Sequence, residues 1–188
     1  METIINKITL NLKVSRTIIK WWSIVAILLF IIAMMVGLFN SDNVNHLITF
    51  PTADSLITAM KNGLRIIIIY LILSFIPVSW PTKTVCFIST AIVFSGIGSI
   101  IAGFSFNHTV NALVSIIFNI NYLILVYTIA TISIQTINNV KYQSNHHYIL
   151  KWFNSLKHSL GSTWCPLIVT MVIYFILMAI TPIPVTPF

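Results

Sequence analysis

The side chains of this chain that could do chemistry are few and poorly companioned. His146 and His147 are adjacent, so on any helix they point to different faces, and no carboxylate stands near them to complete a metal site. Cys86 and Cys165 fall near the ends of apolar runs and read as small apolar fillers rather than as a disulfide or a nucleophile. Serines occur without a base at a recognisable spacing, so serine-type chemistry has no support. The expectation is a chain with no catalytic residue, no metal and no cofactor. The residues that remain are asparagines, glycines, lysines and aromatics, and what they can do depends on the elements that carry them.

Those elements are set by the distribution of charge. No Asp, Glu, Lys or Arg occurs in the 57 residues between Lys83 and Lys141, in the 21 between Lys20 and Asp42, or in the 31 after Lys157. A charge near the centre of a bilayer costs several kcal/mol even on the lenient translocon scale, so such runs are what selection leaves in segments that sit in lipid. Composition agrees: 57% hydrophobic, 7% charged, mean hydropathy +0.97, against about a quarter charged in ordinary soluble domains. The net charge of +7 comes from cations that punctuate apolar runs. A membrane surface accounts for them better than nucleic acid, and no nucleic-acid partner is expected.

The fold class predicted is an all-α integral membrane protein of five transmembrane helices forming one membrane domain over 21–188, preceded by a basic amphipathic segment, 1–20. The spans are placed at 21–39, 59–77, 85–103, 110–137 and 164–180. Trp21 to Phe39 is apolar except for Ser23, and no small-residue cleavage site follows, so it is read as retained. The second span opens near Lys61 and Arg65, whose long side chains can snorkel. As one helix the 57-residue neutral run would be roughly 85 Å long, so it folds back, with the break placed at Phe104 to Thr109. Pro182, Pro184 and Pro187 end the last span. With the N-terminus cytoplasmic, Lys7, Lys13, Arg16, Lys20, Lys83, Lys141, Lys151 and Lys157 lie inside and only Lys61 and Arg65 outside; the positive-inside rule then puts the C-terminus outside.

Within this frame three groups of residues have candidate roles. The connection from Asn138 to Thr163 carries Ile149, Trp152, Phe153, Leu156 and Leu160 at helical spacing, opposite Lys151, Asn154, Ser155, Lys157 and His158. This amphipathic cytoplasmic helix, about 146–160, reads either as an interfacial element on the inner leaflet or as a docking face for a cytoplasmic partner. The basic residues Lys7, Lys13, Arg16, Lys20, Lys151 and Lys157 read as membrane-surface contacts. In the fourth span Asn119 and Asn121 must face other helices or a water-filled path, because lipid offers them no partner. Gly96, Gly98 and Gly103, with Ser95 and Ser99, make the third span a small-residue helix, expected to be the best packed of the five.

The run Cys165-Pro166-Leu167-Ile168-Val169-Thr170-Met171 through Ala179-Ile180-Thr181-Pro182 resembles the terminal segment of the stage II sporulation protein M family. Met60-Lys61-Asn62-Gly63-Leu64-Arg65 resembles that family's Asn-containing entry to the second span, and Ser95-Gly96-Ile97-Gly98 its glycine-rich third span. The family's ionisable positions in the fourth and last spans read here as Phe118-Asn119-Ile120-Asn121-Tyr122 and Ile173-Tyr174-Phe175-Ile176, so activities that depend on them are not implied. What the resemblance implies is a non-enzymatic subunit of a bacterial plasma-membrane complex. In circular bacteriocin clusters it would act beside an ATP-binding subunit in maturation, export or self-protection. The alternatives are a scaffold for cell-envelope remodelling enzymes, or a small stand-alone transporter or channel. The partners expected are the lipid bilayer, other membrane subunits, a cytoplasmic ATP-binding subunit and a second copy of the chain.

Overall fold

The structure, a computed structural model, describes residues 14–39, 51–102, 109–143 and 147–180. They form five α-helices: α1 (Arg16–Phe39), α2 (Ala53–Phe75), α3 (Trp80–Ala102), α4 (Thr109–Val140) and α5 (Tyr148–Ile180). Each is long and apolar enough to cross a membrane, and no strand occurs among the described residues. Asn40 to Asp42, the break before Thr109, Gly103, Lys7, Lys13 and the proline-rich tail lie outside the described residues.

The helices begin earlier than hydropathy places them, and for local reasons. The second starts at Ala53 because Thr52 caps it: the Thr52 hydroxyl accepts from the Ser55 N–H at 3.2 Å, and the Ser55 hydroxyl accepts from the Thr52 N–H at 2.9 Å. This reciprocal box satisfies two donors that a helix start leaves orphaned. Its consequence is positional. Arg65, expected at the mouth of the span, is the thirteenth residue of a 23-residue helix and exposed. The end comes at Phe75, where the Ile76 N–H bonds to the Leu73 carbonyl and Pro77 follows. Trp80 and Pro81, which fall in the connection between the spans placed at 59–77 and 85–103, instead open α3, with proline in the first turn where its missing N–H costs nothing.

Side-chain contacts fix the directions. Trp22 meets Phe87, with its indole N–H bonded to the Phe87 carbonyl at 3.2 Å. Tyr148 and Trp152 meet Phe75, and Asn139 meets Ser159. The N-terminal ends of α1, α3 and α5 therefore gather with the C-terminal ends of α2 and α4. Arg16, Lys20, Lys83, Lys141 and Lys151 all lie at this end of the bundle, which we call the basic end.

The centre is α4, half of whose apolar span is buried against 28% for α3. The expectation that the glycine-bearing third helix packs best is thus corrected. The glycines serve close approach on single faces, whereas α4 is enclosed by α2, α3 and α5 together. Phe118, Leu125, Ala130 and Ile134 on α4 are fully buried, with Tyr70 and Tyr174 among the largest enclosed side chains. On α3, a Cβ at Gly98 would lie 2.6 Å from the Phe30 carbonyl oxygen, which is what lets α1 press against α3.

The fifth helix departs most from expectation. The amphipathic segment and the last span are one continuous helix of 33 residues, with Pro166 inside it. Tyr148 reaches the Phe75 carbonyl at 2.7 Å, while Phe175 packs where a Cβ on Gly63 would sit. Phe75 and Gly63 are about 18 Å apart on α2, but Tyr148 and Phe175 would be about 40 Å apart on a straight helix. Side-chain reach at both ends does not close that difference, so α5 is bowed around α2. Pro166 omits one rung of the backbone ladder, and the hydroxyls of Ser162 and Thr163 bond back to the Ser159 carbonyl at 2.9 and 2.8 Å just before it.

Candidate functional site

Two regions bring together residues singled out by their chemistry: the basic end around the start of α5, and the polar interior of α4.

At the basic end the five residues of the amphipathic stripe separate. Ile149 and Phe153 are exposed, at 67% and 58%. Leu156 is buried, and Trp152 and Leu160 are partly so. The Trp152 indole donates to the Ser74 hydroxyl at 3.1 Å, which itself donates to the Leu71 carbonyl at 2.7 Å. The Trp152 ring lies edge-on to Phe75 at 5.6 Å, as does Tyr148 at 5.4 Å. Ser155, placed on the polar face from sequence, is fully buried, and so is Ser159, which accepts from the Asn139 side chain. The buried arc is therefore rotated toward Trp152, Ser155, Leu156 and Ser159, because small hydroxyl residues let α5 lie close against α4. The outward arc carries Ile149, Leu150, Phe153, Lys157 and His158, with Lys151 half-buried.

The clasp of Tyr148 and Trp152 on the end of α2 was not visible in the sequence. Ser74 and Phe75 carry no signal that distinguishes them from other span residues. The capacity of the aromatics to bond was visible; their partner was not.

The cations at this end stand at helix termini of both kinds, Lys141 just past the C-terminus of α4 and Arg16 at the start of α1. Arg16 opens α1 with no acidic residue in its first turn, against the positive end of the helix dipole, where a cation costs about 0.3–1 kcal/mol. Lys20 follows one turn later, exposed.

Inside α4, Asn119 and Asn121 are both buried. Asn121 donates to the Thr170 carbonyl on α5 at 3.1 Å, the interhelical use expected of asparagine in a membrane. Asn119 donates to the Ser115 carbonyl of its own helix at 2.8 Å, which fixes the amide orientation and leaves its carbonyl oxygen unbonded among the described residues. That oxygen would lie 3.3 Å from a Cβ on Gly96. Gly96 therefore leaves room beside Asn119, whereas Gly98 serves the contact with α1. Ser133 donates to the Tyr70 carbonyl at 3.0 Å, tying α4 to α2. Of the polar side chains on α4, then, Asn121, Ser133 and Asn139 bridge helices directly, and several others bond back along α4 itself.

Neither cysteine is in a disulfide: Cys86 is buried and Cys165 exposed. Among the described residues no three His, Cys, Asp or Glu side chains come together as a metal site. Comparison with protein-family models, with curated proteins and with solved structures finds no match to this chain.

Proposed function

We propose that this protein is a non-enzymatic subunit of a membrane complex. The observation that carries the reading is the outward arc of α5 at the basic end. Ile149, Leu150 and Phe153 stand exposed beside Lys157 on a helix whose inward residues are already clasped to α2 and α4. An apolar patch on a braced helix can be recognised by another protein without deforming the bundle. In this reading the N-terminus and the basic end face the cytoplasm of a bacterial cell and the C-terminus lies outside the plasma membrane. The partner engaging the patch is an ATP-binding subunit. The resemblance of the last span and of Met60 to Arg65 to stage II sporulation protein M-like chains supports a role in maturation, export of, or immunity to a circular bacteriocin peptide.

Affinity purification of the full chain in mild detergent from cells expressing its neighbouring genes tests the proposal. Co-purification of an ATP-binding protein that is lost in Ile149→Ala/Phe153→Ala supports it. A lone chain that turns over a substrate overturns it.

A further inference from the structure

We infer that the groove between α1, α3 and α4 at the basic end is a binding site for an anionic phospholipid, one acyl chain lying in the groove and the headgroup at its cationic mouth. The groove has a volume of about 170 Å³ and is lined by Ile19, Trp22, Cys86, Phe87, Leu123 and Tyr127, together with Ser23 and Thr90. That volume is comparable with the ~150 Å³ cavities that take up a benzene ring, so it holds a length of hydrocarbon chain and not a whole lipid.

The lining is mostly hydrocarbon, and three of its polar donors are already used. The Trp22 indole N–H bonds to the Phe87 carbonyl, the Ser23 hydroxyl to the Ile19 carbonyl at 2.9 Å and the Thr90 hydroxyl to the Cys86 carbonyl at 2.8 Å. A polar ligand finds few free donors inside, and water in such a space gains few partners. A hydrocarbon chain has no such requirement.

The mouth supplies the charge. On α1 the lining residues Ile19 and Ser23 continue the helical face that carries Arg16 and Lys20; on α3, Cys86, Phe87 and Thr90 continue the face that carries Lys83. Residues three, four and seven apart share one face of a helix. Because α1 and α3 run in the same direction, with Trp22 against Phe87, their cations lie at the same end of the groove, a turn or so beyond its lining toward the helix N-termini. An apolar slot that ends in basic side chains at a membrane surface is complementary to a lipid whose headgroup is negative.

The test is native mass spectrometry of the full chain released from detergent, after equilibration with equal amounts of phosphatidylglycerol and phosphatidylcholine bearing identical acyl chains. The unmodified protein should retain phosphatidylglycerol in preference, by about fivefold for each cation engaged. Lys20→Gln/Lys83→Gln should bring the two lipids to parity, Thr90→Phe should reduce retention of both, and Lys151→Gln/Lys157→Gln should leave the preference intact. Equal retention of the two lipids by the unmodified protein overturns the site. So does an equal loss of preference in both lysine pairs, which would mean that summed surface charge is the cause. A disulfide formed between Ile8→Cys and Cys86 in a Cys165→Ser background would assign the groove to the chain's own N-terminal stretch and overturn it as well.

Discussion

Gly98 lies so close to Phe30 that a Cβ on it would fall 2.6 Å from the Phe30 carbonyl oxygen and 3.4 Å from the Met34 nitrogen. The obstruction is backbone, which cannot rotate away. Gly98→Ala is expected to push α1 off α3 and destabilise the bundle by about 1–3 kcal/mol. At Gly63 the nearest atom is the edge of the Phe175 ring, at 2.5 Å, and a ring can turn. Gly63→Ala should cost less than Gly98→Ala, helped by alanine's better helix propensity. Unfolding in detergent titrated with SDS measures both, and the reverse order would refute the packing described.

The clasp on the end of α2 predicts a division among the aromatics of α5. Trp152→Ala removes the bond to Ser74 and the edge contact with Phe75. It should destabilise by about 2 kcal/mol, short of the ~3–5 kcal/mol of a fully enclosed aromatic. Phe153→Ala removes an outward ring and should stay within about 0.5 kcal/mol. The same SDS titration reads the difference.

That division sharpens the test of partner docking. Because Phe153 and Ile149 contribute little to the bundle, loss of an ATP-binding partner in Ile149→Ala/Phe153→Ala at unchanged stability reports the interface itself. Lys151→Gln/Lys157→Gln should weaken co-purification less, since rim charges contribute less than apolar anchors. Pull-down yield normalised to folded protein is the measurement.

Asn119 and Asn121, both buried on α4, should behave oppositely. Asn121→Leu breaks the bond to the Thr170 carbonyl, a class of contact that averages about 0.6 kcal/mol in membranes and reaches about 1.7. Asn119→Leu removes a buried oxygen that no described residue satisfies, so it should be neutral or stabilising, since an unpaired buried acceptor costs about 1–3 kcal/mol. Thermal melting in detergent decides, and a larger loss at Asn119 would indicate a bound water or ligand there.

Orientation is checked by cysteine labelling in a Cys86→Ser/Cys165→Ser background. An impermeant maleimide added from outside should modify Ser41→Cys and not Asn145→Cys; the converse would reverse the proposed topology.

The number of helices was legible in the sequence because charge is so costly in lipid that its absence marks each span. The helix ends were less so. Thr52 and Ser55 formed a usable start signal that hydropathy windows overlook, and Pro81 another. The continuity of α5 was hidden because Gly161, Ser162, Thr163 and Pro166 together look like a break. They extend as helix because the hydroxyls bond to the preceding turn and the proline only bows it. At the candidate docking face, period alone could not tell Trp152 from Phe153. Whether an aromatic on an amphipathic stripe meets lipid or protein depends on residues such as Ser74, 78 positions away.

The solitary packing of α1 bears on how the protein is made. Only 11% of its span is buried, and its main neighbour is α3, which is synthesised after the whole of α2. Once released from the translocon, α1 must wait in the bilayer as a single helix until α3 arrives, and with one serine in Trp21 to Phe39 it can do so at little cost. The asparagine-bearing α4 could not wait in this way. It emerges directly after α3 and directly before α5, so the helix least suited to solitude in lipid is the one whose partners are next to it on the ribosome.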